Sequence, residues 1–290
     1  LLYYDEWKDT NAVEILVYAL DALHTIFQNI LEGWRDSEEY HDNLKFRFLE
    51  KTYNASFDFR DIGVGATGFH SYLQKHNIVF GDVQSKITNK QIFLTLGSQV
   101  DRASEKLAKE FGEPAMLKGF GRRNGMKMAI APNTTSAFIL GQVSQGIEPI
   151  FSNYYLKDIA NSKHVVKNPI LIELLEAKGK NTDEVWKDIL KHNGSVQHLA
   201  FLSEHERNVF KTFDEISQLD IIQLAADRQK YIDQSQSLNL KIPKDISPKD
   251  ISDLLFKAHE LGIKTLYYQH SFSAAQEFRR NLLECTSCAG

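Results

Sequence analysis

Leu261-Gly262-Ile263-Lys264-Thr265-Leu266-Tyr267-Tyr268-Gln269-His270 is the stretch on which the reading of the chain turns. Gly262 closes a helix that Ser247-Pro248 opens, and Ile263 to Tyr268 join β-branched and aromatic residues without turn formers, which predicts a buried strand. Adjacent tyrosines in such a strand are ordinarily core residues with satisfied hydroxyls. A second reading stays open because the strand stands just before a tail that carries both cysteines, Cys285 and Cys288. Phenols are among the few side chains that lose one electron. The tail spacing Cys285-Thr286-Ser287-Cys288 is C-x2-C, but a tetrahedral structural site needs another pair and the chain has none. A redox dithiol is the better reading. His205, His259 and His270 have no second ligand at metal spacing, so no metal ligands are assigned.

Composition bounds the rest. A chain of 290 residues can bury a large core as one big domain or two small ones. Its 42% hydrophobic and 25% charged content is ordinary for a soluble globular protein. Lys and Arg total 34 against 38 acidic residues, a net charge of −4, which argues against a dedicated nucleic-acid surface. No apolar run approaches the roughly 18 residues needed to span a bilayer. With no signal peptide visible and two cysteines only, the expected compartment is cytoplasmic. The first residue is Leu1 rather than methionine, which suggests a piece of something longer.

Upstream, Val13, Leu16, Leu20, Leu23, Phe27 and Ile30 recur at helical spacing, with Asn11 and Glu14 as a capping box and Gly33 past the end. Residues 33–56 are polar without a strong period. Gly63, Gly65 and Gly68 match G-x-G-x-x-G, yet Phe57 to Asp61 is charged rather than a hydrophobic strand. Tight turns and close packing account for the three glycines equally well. Phe69 to Lys75, Ser98 to Phe111, Pro169 to Ala177, the Thr182-capped run to Lys191, and Phe213 to Tyr231 read as helices. Lys118 to Gly125 is a glycine-rich turn with three cations, either solvated surface or phosphate-facing.

Met126 to Ala131 reads as a short buried strand, ended by Pro132-Asn133-Thr134-Thr135-Ser136 before a helix from Ala137. Hydroxyls and free backbone N–H groups at a helix start make this the best anion site of the chain, against the plainer reading of an N-cap by Asn133 or Thr134. A helix terminus gives a charge about 0.3–1 kcal/mol, whereas micromolar binding needs about 8 kcal/mol. A nucleotide there requires other walls around its base and sugar.

Together, Ala131 to Ser136 with Gly146-Ile147-Glu148-Pro149, then Tyr231-Ile232-Asp233-Gln234-Ser235-Gln236-Ser237-Leu238-Asn239, then Gly262 to Tyr268, resemble the large, catalytic subunit of class I ribonucleotide reductase. Arg60-Asp61-Ile62-Gly63-Val64-Gly65 fits as well and removes the dinucleotide reading. The resemblance runs in the family's order from about Asn11 to the paired tail cysteines. It implies an α/β fold, the second half of a ten-stranded α/β barrel built from parallel half-barrels, over residues 1–272, with a flexible redox-active tail over 273–290. It implies that Pro132, Asn133, Thr134, Thr135 and Ser136 hold the diphosphate of a ribonucleoside diphosphate. Tyr267 and Tyr268 would be the last relay of a radical arriving from the small, radical-generating subunit. Cys285 and Cys288 would pass electrons from thioredoxin or glutaredoxin to an active-site disulfide, although the usual tail spacing of the family is wider. The metal-radical cofactor is expected in the small subunit and the ATP or dNTP effectors on a missing N-terminal part, with no cofactor on this chain.

A count then decides something. The family's reaction uses three active-site cysteines, one of them a thiyl radical within N-x-C-x-E, and this chain has no cysteine before Cys285 and no such motif. A companion chain carrying the other half-barrel is therefore expected, in preference to a truncated chain. Ser273 to Cys285 spans 12 residues, about 40 Å extended and nearer 20 Å as a coil, enough for shuttling. In a regular strand Tyr267 and Tyr268 would face opposite sides, so a relay requires the strand to end or bend there. Two other classes remain to be weighed. A non-catalytic nucleotide-binding regulatory module would not need the tyrosine pair or the dithiol. A thioredoxin-like oxidoreductase needs C-x-x-C at a helix N-terminus rather than near a chain end.

Overall fold

The computed structural model describes residues 1–159, 162–243 and 245–271. Helices dominate the described residues: α1 (Tyr4–Trp7), α2 (Ala12–Arg35), α3 (Tyr40–Phe59), α4 (Phe69–Lys75), α5 (Val83–Phe111), α6 (Thr134–Ile139), α7 (Pro169–Ala177), α8 (Asp183–Lys191), α9 (Glu204–Val209), α10 (Gln218–Gln229) and α11 (Pro248–Glu260). The strands are short: β1 (Tyr154–Ile159), β2 (Ser162–Lys167), β3 (Leu240–Lys241) and β4 (Gln269–His270). The tail expected over 273–290, including Cys285 and Cys288, lies outside the described residues.

Where a helix start is local chemistry, sequence and structure agree. The side chains of Asn168, Thr182 and Ser247 accept from the backbone N–H groups of Ile170, Val185 and Asp250, satisfying amides that have no intrahelical partner. Three expectations are corrected. Helix α2 runs through Gly33 to Arg35, and Asn11 makes no side-chain cap. Its buried face is Val13, Val17, Asp21, Gln28 and Leu31, while Leu16, Leu23 and Ile30 are exposed. The reason is polar: the Arg60 guanidinium grips both oxygens of Asp21 at 2.8 and 2.9 Å and also reaches Gln28, turning that side of the helix inward. Burial pushes the Asp21 carboxyl up, but hydrogen bonds from Arg60 and Arg123 outweigh it and hold it below the usual range. Residues 40–59, to which the sequence reading gave no helix because 33–56 shows no strong period, form α3. Helix α5 begins at Val83, capped by Asp82, so Ser98 stands mid-helix rather than at a start.

Four extended segments, 62–66, 126–131, 234–242 and 267–270, lie side by side in sequence order and parallel, through bridges Val64–Met128, Ile130–Gln236 and the β3–β4 pair. Parallel neighbours require crossover connections, here α4 and α5, then the region of α6 to α10, then α11. The regular ladder is shorter than a strand reading of these segments implies because side chains replace rungs. Asp61 accepts from the Met126 amide, Asp233 from those of Lys127 and Met128, and Asn239 from that of Tyr268, while Gln234 donates to the Ile62 carbonyl. A methyl group at Gly65 would stand 2.6 Å from the Ala129 carbonyl oxygen, so close strand contact explains that glycine. Val64, Met128, Ile130, Leu238 and Leu240 face the larger apolar core with α4, α5 and α10; a smaller core gathers α7, α8 and α9. No helix among the described residues is long and apolar enough to cross a membrane.

Candidate functional site

A cavity of about 240 Å³ opens where the second segment ends beside the third and fourth. Pro132, Thr134, Glu148, Asn239, Tyr267 and Tyr268 are among its walls, so the two stretches read separately from sequence meet at one place. The glycine-rich turn does not join them. The Gly119 and Gly121 amides both donate to the Glu113 carboxylate at 2.5 Å, and Arg123 pairs with buried Asp21, so these donors are engaged within the protein itself.

The loop 131–136 is fastened by side chains rather than capped. Asn133 makes no cap to α6; its Oδ1 accepts from the Gly146 amide at 2.8 Å and from Thr67 Oγ1 at 3.2 Å. Thr134 Oγ1 donates to Gln145 Oε1 at 2.9 Å. Pro132 and Thr134 face the cavity, and Thr135 and Ser136 stand exposed on the first turn of α6.

Tyr267 and Tyr268 are about half exposed, not buried as a core strand would hold them. Their backbone explains how neighbouring rings share a side. Tyr267 N–H donates to the Leu238 carbonyl at 2.8 Å, and Tyr268 N–H donates to Asn239 Oδ1 at 2.9 Å. Two consecutive amides thus point at the same neighbour, as in a bulge, and the alternation of side chains is lost. The ring centroids lie 4.1 Å apart and the hydroxyls 3.3 Å apart. The hydrogen bond with Tyr268 raises the Tyr267 phenol above its ordinary range. His270 stands 5.7 Å from the Tyr268 ring, and partial burial, helped by Lys241, lowers its imidazole.

Asn239 is itself held from behind. Its backbone N–H donates to Glu148 Oε1 at 2.8 Å and its side-chain amide to Oε2 at 3.2 Å. Burial pushes the Glu148 carboxyl up, and these two donors pull it part of the way back. The fully buried Arg228 lies within the field of Glu148; it donates to Gln236 and Asn89 at 2.8 Å and sits 5.4 Å from the rings of Phe69 and Phe93. Burial lowers it to about 9, with Glu148 and Asp227 acting against the shift. Sequence reasoning gave Glu148 no role. Its signal was the stretch Gly146 to Pro149, whose glycine amide fastens Asn133 and whose carboxylate fastens Asn239.

Residues 5–120 and 114–269 match the family model described as the ribonucleotide reductase barrel domain, which carries an α/β barrel fold. The chain is 39% identical, over 93% of its length, to the ribonucleoside-diphosphate reductase large subunit of Invertebrate iridescent virus 6, and covers 27% of that relative. To the large subunit of Invertebrate iridescent virus 3 it is 35% identical over 99% of its length, covering 46% of that protein. Among solved structures, the Actinobacillus ureae class Id ribonucleotide reductase alpha subunit superposes with a TM-score of 0.84 at 46% identity, covering 95% of this chain and 49% of that one. The chain spans half or less of the length of these relatives.

Proposed function

The chain belongs to the ribonucleotide reductase barrel-domain family, and from that premise we propose that it supplies part of the reductase active site that converts ribonucleoside diphosphates to deoxyribonucleotides. The observation that carries this reading is the meeting of the 131–136 loop with the paired phenols of Tyr267 and Tyr268 on one cavity. In this reading the four parallel segments belong to the second half of a ten-stranded barrel. Pro132 to Ser136 receive the diphosphate, with Asn133 setting the loop and Pro132 and Thr134 lining the cavity. The phenols pass a radical inward from a small subunit that holds the metal-radical cofactor, the proton of each phenol leaving with its electron. Their hydroxyls are 3.3 Å apart, which suits such an exchange.

The thiol that abstracts the ribose hydrogen, and the carboxylate beside it, lie in sequence outside this chain, which holds no cysteine before Cys285. Two further thiols there reduce the 2′ carbon; water leaves and a disulfide forms. Cys285 and Cys288 then reduce that disulfide by exchange and are themselves reduced by thioredoxin or glutaredoxin. Effector nucleotides bind outside this chain.

The test combines the chain with the remainder of the large subunit and the small subunit. Tyr267→Phe and Tyr268→Phe are each expected to cut turnover by about a thousandfold or more, about 4 kcal/mol of barrier, while leaving folding nearly intact. An active Phe variant refutes the relay. Replacing both tail cysteines with serine should stop thioredoxin-driven turnover and spare a single turnover; an unchanged thioredoxin-driven rate refutes the shuttle.

A further inference from the structure

Outside the walls of that cavity, the end of α8 gathers a carboxylate and two imidazoles. Asp188 and His192 are four residues apart and therefore share a helix face. Asn193 and Gly194, at φ of 59° and 80°, turn the chain so that His198 returns to stack on His192 with ring centroids 3.6 Å apart. His198 Nε2 stands 3.0 Å from Asp188 Oδ2, and His192 Nδ1 stands 3.4 Å from Asp188 Oδ1. One donor atom from each of the three lies within 4.8 Å of the other two.

We propose that Asp188, His192 and His198 bind one divalent ion of the zinc class, independently of the reductase reading. Two imidazoles with one carboxylate form a borderline donor set, suited to zinc or cobalt rather than to magnesium or calcium. With bonds of about 2.0–2.2 Å, the edge of a tetrahedral site is about 3.4 Å; the two measured separations are of that order but end on different Asp188 oxygens, so the carboxylate must turn to bring one oxygen to both nitrogens. Water completes the fourth position, since His192 and Asp188 are each about half exposed. Ligation through His192 Nδ1 replaces its hydrogen bond to the Asp188 carbonyl, 2.9 Å away, and leaves the ring hydrogen on Nε2. The ion has something to hold together. Trp186 and Ile189 of α8, and Val196 and Leu199 of the returning segment, are all buried in the smaller core, so coordination ties two walls of that core.

Zinc and cobalt titrations of the full 290-residue chain test the proposal, in a Cys285→Ser, Cys288→Ser background that removes thiol ligands. One ion per chain is expected, with a rise in the zinc-dependent thermal midpoint and a visible cobalt band. His198→Ala and His192→Gln should each weaken binding by about tenfold or more and abolish the midpoint rise, while His205→Ala changes neither. Absence of saturable one-to-one binding, or equal affinity in His198→Ala, overturns the site.

Discussion

Changing Asn239 to aspartate sets a second carboxylate against Glu148 across a gap of 3.2 Å, with almost no change in shape. Two full charges at that separation repel by about 5 kcal/mol at an effective dielectric of 20. Protonating one instead costs about 4 kcal/mol at pH 7 and about 1.5 kcal/mol at pH 5, starting from an unfolded value near 3.9. Protonation is the cheaper escape at both, so it sets the penalty. A carboxyl whose folded value is raised keeps its stability below the unfolded value and loses it as pH rises through the folded one. The variant should therefore be about 1.5 kcal/mol less stable than the parent at pH 5 and about 2–3 kcal/mol further destabilised at pH 7. Asn239→Ala removes the amide's bonds to Glu148 and Tyr268, about 2–4 kcal/mol, and steepens the pH dependence less than the aspartate does, because Glu148 loses one donor but gains no neighbouring charge. Urea unfolding at pH 5, 6 and 7 reads both. Buried Glu148 gives the parent a gentler slope of the same sign, so the difference between chains is the measured quantity. If Asn239→Asp follows the parent's pH dependence within about 0.5 kcal/mol, the two side chains do not face each other and the support behind Tyr268 is wrong.

Gly65→Ala should lower stability by about 1–3 kcal/mol, read from the thermal midpoint, because its methyl meets the Ala129 carbonyl at 2.6 Å; a neutral result contradicts the close approach. Burial holds the His70 imidazole down to about 3 against an ordinary 6.5. The unfolded chain therefore binds the extra proton, and stability falls as pH drops from about 6.5 toward 3, by at most about 5 kcal/mol. His70→Gln should flatten that acid limb in urea titrations; an unchanged limb assigns acid sensitivity elsewhere.

What could be read from sequence was what the chain decides locally. Asn168-Pro169, Thr182 and Ser247-Pro248 announce their helices because the capping atoms lie within three residues of the amides they meet. The inward face of α2 could not be read that way. It carries Asp21 and Gln28, whose burial depends on Arg60, 39 residues beyond Asp21. The exposed apolar stripe with Leu16 and Leu23 was the more obvious signal and the misleading one. At the cavity, Pro132, Thr134 and the tyrosine pair carried recognisable chemistry. Glu148 looked like any acid until Asn239, 91 residues on, closed over it. Asp188 and His192 show helical spacing, but His198 joins them only through the tight turn at Asn193 and Gly194.

One rung beside the phenols is supplied by an amide side chain, 29 residues upstream of Tyr268. Whether those two rings sit as neighbours is thus encoded at a position that is not aromatic and that a search for redox-active residues would pass over. A descendant could keep both tyrosines, lose Asn239, and carry the right letters in a broken spacing.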